Sequence, residues 1–478
     1  MAARPPAPPA AGPPQGTDPV AGSPNGGGRG PAEPSFASGA RVLSIGIACT
    51  GIFTFLYLAL ASHVLSKADY SRISLCWAIM FVILSVIYRP IEQLLSRTIA
   101  DRRARGLEGH PLWIPAAIQL SFASAFLVTA LLLRHDIEYG IFDGSSALYW
   151  ILVVGVMAYA ASYFARGWLA GHKLFALYGG LVFLESTSRF LFALAAAVGI
   201  SSGQGAVGLG MAVAPFASLC VIPFAFSRIR GRVGGPPGVP AADAAREGPA
   251  HAEIEEASAD LSLKRGAGFA ASVVGIMLAE QTLLNAGVLI IAARSGGGSI
   301  TSGYTGFVFN VMLIVRAPLQ LFQAIQTSIL PHLAGLEARE SPEEFSRAIR
   351  ITVLAIAAFA GAVAIGLLAI GPFVMSALLG NKGYHYGRFG LAVVGLGMGL
   401  HLVSGTLNQA ALARGRARQA AIAWLSAAAL FVAFVASPTI ASEVTRVEVA
   451  YFTATLVLCC LLSALYRRGP VAVSSATA

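Results

Sequence analysis

Apolar residues gather along this chain in twelve stretches, most of them about 18–25 residues long. A helix needs about 20 apolar residues to cross the roughly 30 Å hydrocarbon core of a membrane. Membrane β-strands are segments of about ten residues in which apolar and polar residues alternate, and the sequence lacks this pattern. The pattern therefore predicts an all-α, polytopic membrane protein with twelve transmembrane helices. The stretches lie near residues 42–62, 73–95, 112–133, 147–165, 175–198, 206–226, 267–292, 304–330, 346–370, 389–410, 420–440 and 449–466.

Polar segments divide the chain into two halves of equal helix number. Residues 1–40 are rich in Pro, Gly, Ala and Ser, which predicts a disordered tail. Residues 227–266 begin with arginines and become acidic at Glu253, Glu255 and Glu256, and they predict a cytoplasmic linker. We expect two pseudo-symmetric six-helix bundles at 41–226 and 267–468, followed by a short cytoplasmic tail at 469–478.

Composition and charge placement support a membrane location. Only 12% of the residues are charged and 56% are hydrophobic, with a mean hydropathy of +0.70, which is too apolar for a soluble domain of this size. The net charge of +10 does not indicate a nucleic-acid partner, because most of the 33 Lys and Arg lie in the tails and in alternate loops. This positive-inside asymmetry predicts a multi-pass protein of the plasma membrane with both termini in the cytoplasm.

A repeated motif relates the two halves. Arg89-Pro90 in the first half is followed by Gln, Leu and Ile residues, and Arg316-Ala317-Pro318 in the second half is followed by a similar segment. Duplicated bundles with a broken or kinked helix in each copy are how many transporters build a central site. The repeat predicts a transporter in which Pro90 and Pro318 are hinges between inward-open and outward-open states.

Enzyme chemistry is not indicated anywhere along the chain. No Gly-rich segment ends in Lys-Ser or Lys-Thr, so nucleotide hydrolysis is not expected. The histidines are isolated, and none of the five cysteines has metal-ligand spacing. We therefore expect no catalytic residue, no metal and no cofactor, and we interpret the cysteines as small apolar residues in helix packing.

Charges inside the apolar stretches are the candidate site residues. Glu185, Arg189, Glu280 and Arg316 lie within predicted helices, and Arg89 lies near the cytoplasmic end of the second one. Each charge costs a few kcal/mol at the bilayer centre, so it needs a partner or a polar cavity. We expect Arg316 and Arg189 to bind a diphosphate in a central cavity.

The remaining charges have supporting roles in this hypothesis. Glu280 and Glu185 would orient the two arginines or titrate during transport, and Arg89 would guard the cytoplasmic mouth of the cavity. A plainer alternative stays open, in which Glu185 neutralises Arg189 one turn away and Glu280 neutralises Arg316.

Several motifs, in their order along the chain, resemble a known family of transporters. They are His63–Tyr70, Arg89–Arg97, Arg166–Gly171, Arg316–Phe322 and Ser328–Leu333. The chain resembles the polysaccharide transporter branch of the multidrug/oligosaccharidyl-lipid/polysaccharide exporter superfamily, which includes O-antigen-type and capsule-type flippases. The resemblance spans roughly residues 41–468.

This resemblance implies a function and a set of partners. It implies two six-helix lobes around a cavity that opens alternately to each side. The implied substrate is a polyprenyl-diphosphate-linked oligosaccharide, flipped during synthesis of cell-envelope polysaccharide. Membrane lipids, a glycan polymerase and glycosyltransferases are the expected partners.

The sequence also departs from other members of this superfamily. Lipid II-type flippases usually have fourteen helices and cationic residues in the first one, whereas the first apolar stretch here has no charge. Multidrug antiporters often use a membrane-embedded Asp, and every Asp here lies outside the apolar stretches. A multidrug/cation antiporter, a lipid II-type flippase and a non-transporting scaffold remain as alternatives.

Overall fold

The computed structural model describes residues 36–104, 112–225, 249–295, 303–319, 322, 342–380 and 383–468, and all regular structure within them is helical. The helices are α1 (Phe36–Val64), α2 (Lys67–Ile83), α3 (Arg89–Ala104), α4 (Trp113–Leu132), α5 (Ser146–Gly171), α6 (Phe175–Ala197), α7 (Gly203–Leu219), α8 (Pro249–Ser295), α9 (Tyr304–Leu319), α10 (Pro342–Leu379), α11 (Arg388–Ala413), α12 (Ala417–Ala436) and α13 (Glu443–Arg467). Two π-helical turns, Leu84–Tyr88 and Asp136–Ile141, complete the set.

The prediction of an all-α membrane protein is confirmed. Across the residues that the structure describes, eleven spans are long and apolar enough to cross a membrane. One of them, Lys67–Ser96, runs without interruption from α2 through the π-helical turn into α3. Helix α9 covers the first part of the predicted stretch 304–330, and beyond Leu319 only Phe322 of that stretch is described.

Some boundaries differ from the sequence-based expectation. Helix α8 begins at Pro249, so the second half of the predicted linker is helical and continues into the membrane span. Helix α10 begins at Pro342, four residues before the predicted stretch 346–370, and ends at Leu379. Most of the predicted N-terminal tail, residues 1–35, lies outside the described residues. The same holds for the whole predicted C-terminal tail, 469–478, and for the first half of the predicted linker.

Helix packing within each half joins helices that are distant in the chain as well as neighbouring ones. In the first half, α1 packs against α6, α6 against α7, and α5 against α3 and α7. In the second half, α11 packs between α10 and α13, and α12 packs against α8 and α13. Contacts between the halves are concentrated where α2 and the π-helical turn after it meet α8. The polar interior described below lies along this junction.

Glycines allow the closest helix contacts in the second half. A Cβ atom added at Gly399 on α11 would lie 2.2 Å from the Cβ of Ala360 on α10. A Cβ at Gly397 would lie 2.9 Å from the ring of Tyr451 on α13. These distances are too short for any side chain, so glycine is required for α11 to fit between its two neighbours.

Two arginines of a predicted cytoplasmic loop hold the end of helix α13. The last carbonyls of a helix have no partner within the helix and need an outside donor. Arg416 donates to the Leu465 carbonyl at 2.9 Å and Arg414 to the Tyr466 carbonyl at 3.2 Å. The Arg414 guanidinium also lies 4.4 Å from the centre of the Phe345 ring. The arginines that suggest topology in the sequence therefore also stabilise the fold.

We expect Gly399→Ala to destabilise the protein by about 1–3 kcal/mol, because the added methyl group overpacks the contact with Ala360. Thermal unfolding of the purified protein in detergent measures this effect. Ala360→Gly in the same protein should recover much of the loss. Gly361→Ala is the matched control, since a Cβ there has no atom within 4 Å. An equal loss of stability at both glycines would contradict the packing explanation.

Candidate functional site: a basic cavity between the two halves

A cavity of about 250 Å³ lies between the two halves, against helices α1, α2, α3, α5, α6, α8 and α9. Most of its wall is apolar or aromatic, but four arginines and two glutamates also line it. They are the arginines Arg89, Arg166, Arg189 and Arg316 and the glutamates Glu92 and Glu185. If all six are ionised, four positive and two negative charges leave the cavity with an excess of two positive charges.

Glu185 is the centre of one charged cluster in this wall. Its carboxylate accepts a close hydrogen bond from the Arg166 guanidinium and another from the Ser162 hydroxyl at 3.3 Å. The Arg189 guanidinium lies 3.7 Å from its other oxygen and donates to the Tyr159 hydroxyl at 3.0 Å. One carboxylate thus serves two guanidinium groups, so this cluster is largely neutralised but still carries one positive charge in excess.

Glu92 is held at the cavity wall by neighbouring helices. The Tyr178 hydroxyl donates to its carboxylate at 2.6 Å. Helix α5 approaches the backbone of α3 closely here, since a Cβ at Gly167 would lie 2.8 Å from the Glu92 carbonyl oxygen. The Arg-Gly pair of the sequence motif therefore has a physical reason: Gly167 permits the contact that brings Arg166 beside the cavity.

Arg316 is fixed by neutral partners. Its Nη2 donates to the Leu284 carbonyl at 2.9 Å and to the Asn285 side-chain oxygen at 2.6 Å. The guanidinium lies 4.3 Å from the centre of the Phe309 ring, and Asn285 is itself held by the Gln281 side chain at 3.0 Å. Among the described residues, no carboxylate oxygen lies within 4.0 Å of this guanidinium. Its charge is positioned but not neutralised.

Arg89 reaches the cavity from an irregular part of its helix. Its backbone N–H bonds to the Leu84 carbonyl across the π-helical turn. The next residue, Pro90, has no N–H to donate and cannot fit inside a regular helix without distortion. As for Arg316, no carboxylate oxygen within the described ranges lies in salt-bridge distance of the Arg89 guanidinium. Within the described ranges, Arg316 is therefore the cavity arginine without an acidic neighbour, whereas Arg89 interacts electrostatically with Glu280 and Glu92.

The structure brings together four of the five predicted site residues and excludes the fifth. Arg89, Glu185, Arg189 and Arg316 line one cavity, with Arg89 in its wall. Glu280 does not line it and lies in the second half, where its carboxylate is 3.9 Å from the His401 Nε2. The alternative pairing of Glu280 with Arg316 is not seen in the structure, where Glu280 lies beside His401 of α11.

The other predicted pairing, Glu185 with Arg189, is present but incomplete. Arg166 lies closer to Glu185 and was not predicted as a site residue. It follows the predicted apolar stretch 147–165 directly, whereas α5 continues to Gly171. The Arg166–Gly171 motif was the signal that could have identified it. Glu92 and Tyr178 had no signal beyond their polarity.

The two predicted hinge prolines lie next to the cavity. Pro90 follows the π-helical turn directly, and such turns are common sites of helix bending. Pro318 is the penultimate residue of α9, beside the cavity residues Ala317 and Leu319. Their roles as hinges stay predictions.

Comparisons with known proteins identify the fold. No protein-family model matches the chain, and no curated protein matches it. Solved structures do. An inward-facing multidrug resistance MATE family transporter of the MOP superfamily shares 11% identity at a TM-score of 0.60, over 89% of this chain and 97% of that one.

Two further structures extend the comparison. A MOP superfamily transporter from Pyrococcus furiosus, described as having a binding pocket of reverse polarity, shares 13% identity at a TM-score of 0.58, over 91% and 95% of the two chains. The eukaryotic MATE transporter AtDTX14 shares 11% identity at a TM-score of 0.57, over 91% of this chain and 96% of that one. The chain has the fold of these MATE transporters.

We expect Arg166→Met to destabilise the protein by up to about 3–5 kcal/mol, because it leaves the buried Glu185 with only the more distant Arg189. Thermal unfolding in detergent measures the loss. Glu185→Gln in the same chain should restore much of it by removing the unpaired charge. The control is Arg388→Met, since Arg388 is exposed and does not line the cavity. A double variant less stable than Arg166→Met would contradict the assignment.

Proposed function

We propose that this chain is a membrane transporter that carries an anionic substrate through the cavity by alternating access. The substrate class that fits best is a polyprenyl-diphosphate-linked oligosaccharide of the cell envelope. The observation that carries the proposal is Arg316, whose guanidinium group lines the cavity with no carboxylate oxygen of the described residues within 4.0 Å.

The electrostatic argument starts from the cost of a charge in a membrane. An arginine near the bilayer centre costs a few kcal/mol even where insertion is measured most favourably. Asn285 and Phe309 orient Arg316 but do not compensate its charge. A phosphate group would compensate it, because guanidinium and phosphate form strong, often bidentate, charge-assisted hydrogen bonds. Arg89 can contribute a second contact, as expected for a diphosphate.

The size of the cavity limits what it can enclose. Pockets for drug-sized ligands have volumes of about 300–1,000 Å³. At about 250 Å³, this cavity can hold a diphosphate and little more. In the proposed mechanism, the polyprenyl chain therefore stays in the lipid, and the cavity takes the charged head group. The plasma-membrane location and the glycan-assembling partners belong to the same proposal.

A second candidate is a multidrug/cation antiporter, and the comparisons favour it at least as well. The first of the solved structures above is a multidrug resistance transporter. Two acidic groups, the buried Glu185 in the first half and the partly exposed Glu280 beside His401 in the second, could exchange protons during transport. The positive excess in the cavity speaks against a cationic cargo, and the Pyrococcus furiosus transporter provides a neighbour with a pocket of reverse polarity.

We expect Arg316→Ala to weaken binding of a polyprenyl diphosphate by roughly 10–100-fold, the loss of charge-assisted hydrogen bonds. Arg316→Lys should recover part of the affinity, since it keeps the charge but not the planar geometry. Binding to purified protein in detergent is compared for polyprenyl diphosphate and the uncharged polyprenol, which should bind weakly to all variants. Arg388→Ala is the control, because Arg388 is exposed and does not line the cavity.

Transport in proteoliposomes separates the two candidates. If Arg316→Ala binds polyprenyl diphosphate as tightly as the unchanged protein does, the anion-binding role is wrong. Proton-driven uptake of a cationic dye that persists in Arg316→Ala and is lost in Glu185→Gln would favour the antiporter instead.

A further inference from the structure

The two halves are joined directly at the end of the molecule that is predicted to face outside the cell. This end comprises the turn between α1 and α2, the start of α9 and the loop between α10 and α11. We call the contact the outer seal. Its residues are Ser62, Lys67, Tyr70 and Ser71 from the first half and Gly303, Gly306, Asn310, Leu379, Tyr384 and Tyr386 from the second.

A chain of buried hydrogen bonds forms the inner layer of the outer seal. The Tyr70 hydroxyl donates to the Asn310 side-chain oxygen at 2.5 Å, and the Asn310 amide donates to the Tyr386 hydroxyl at 3.1 Å. Both Tyr70 and Asn310 have no exposed surface. Beside them, the Gly306 N–H donates to the Ser71 hydroxyl at 3.1 Å. Helices α2 and α9 are therefore held together by neutral groups.

An outer layer covers these bonds. The Tyr384 hydroxyl donates to the Gly303 carbonyl at 3.0 Å, and its ring stacks on Phe307 with 5.0 Å between the ring centres. The Lys67 ammonium lies 5.6 Å from the centre of the Tyr384 ring. Burial raises the pKa of Tyr384 to about 12, so this hydroxyl stays protonated at physiological pH. Closure of the outer seal should therefore not depend on pH between 6 and 9 through this residue.

The cavity lies on the predicted cytoplasmic side of the outer seal. On α9, Asn310 belongs to the outer seal, whereas the cavity lining runs from Leu313 to Leu319, towards the other end. On α5 the lining begins at Tyr159, in the half of the helix that ends at the predicted cytoplasmic side. The basic cavity thus occupies the predicted cytoplasmic half of the membrane and is closed towards the outside.

We propose that the outer seal is the extracellular gate of the transporter and that the structure is its inward-facing state. The gate must open for the cavity to exchange with the outside. Its hydrogen bonds between the halves join neutral groups, so opening requires no separation of a buried ion pair, and water can replace each partner once the halves part. The inference concerns the gate alone and does not depend on the charge of the substrate.

A disulfide across the outer seal tests the gate. A Cβ at Gly306 would lie 3.4 Å from the Ser71 Cα, so the two Cβ atoms fall within disulfide reach, which is about 3.5–4.5 Å. The five native cysteines are first replaced by Ala. Ser71→Cys and Gly306→Cys are then combined with Thr50→Cys, a reporter thiol that lines the cavity. The probe is the membrane-impermeant anionic reagent sulfonatoethyl methanethiosulfonate, and its product at position 50 is measured by mass spectrometry.

Labelling from each side gives the decisive comparison. In oriented vesicles, oxidation should reduce labelling from the outside at least tenfold, leave labelling from the cytoplasmic side unchanged, and be reversed by reductant. In the protein that carries Thr50→Cys and Ser71→Cys but keeps Gly306, oxidation should not change labelling at position 50. Unchanged outside labelling after the disulfide forms would overturn the proposal.

A second variant decides the matter if the disulfide does not form. Tyr70→Phe with Asn310→Ala removes the inner hydrogen bonds, and it should raise outside labelling of Thr50→Cys several-fold. The control is Thr455→Val, which removes a buried hydroxyl that donates to a carbonyl of the same helix, α13. This control should leave outside labelling of Thr50→Cys unchanged. No increase over this control, in a protein that remains folded by its thermal unfolding, would contradict the gate. Because these measurements use no substrate, their outcome is separate from that of the anion-binding tests.

Discussion

The structure depends on how four guanidinium groups are accommodated inside an apolar bundle. Burial in the bundle reduces their contact with water, so each needs partners in the protein or in a bound ligand. The protein uses two solutions. Glu185 serves Arg166 and Arg189 together, whereas Arg316 is held only by an amide, a carbonyl and an aromatic ring. The first solution stabilises the first bundle; the second leaves a charge available for cargo.

Much of this could be predicted from sequence because bilayer thickness fixes the length of an apolar helix. The spans and the charges inside them follow from that rule alone, and four of the five candidate residues do meet in one cavity. Arg166 was missed because helix ends are poorly marked in a membrane protein, where an arginine after an apolar run suits a loop equally well. The contact of Glu280 with His401 could not be predicted from the sequence, since His401 lies on α11 and is brought near only by tertiary packing.

Polar groups are divided along the membrane normal by chemical type. The outer seal uses hydroxyls, an amide, aromatic rings and one lysine, whereas four arginines and two glutamates line the cavity. This division separates two requirements. A gate needs contacts that water can replace easily, and a cargo site for an anion needs a charge that water reaches poorly. Combining them at one depth would make release of cargo and opening of the gate compete for the same side chains.

The π-helical turn before Arg89 fixes the rotational phase of the helix that follows. A π-helical turn holds one residue more than an α-helical turn, and each residue advances an α-helix by about 100°. Without Leu84–Tyr88 in this form, every side chain from Arg89 onward would be rotated about a third of a turn around the axis. Arg89 and Glu92 would then leave the cavity together while the apolar content of the span stayed the same. Register within a single helix, rather than composition, thus determines whether this wall of the cavity is charged.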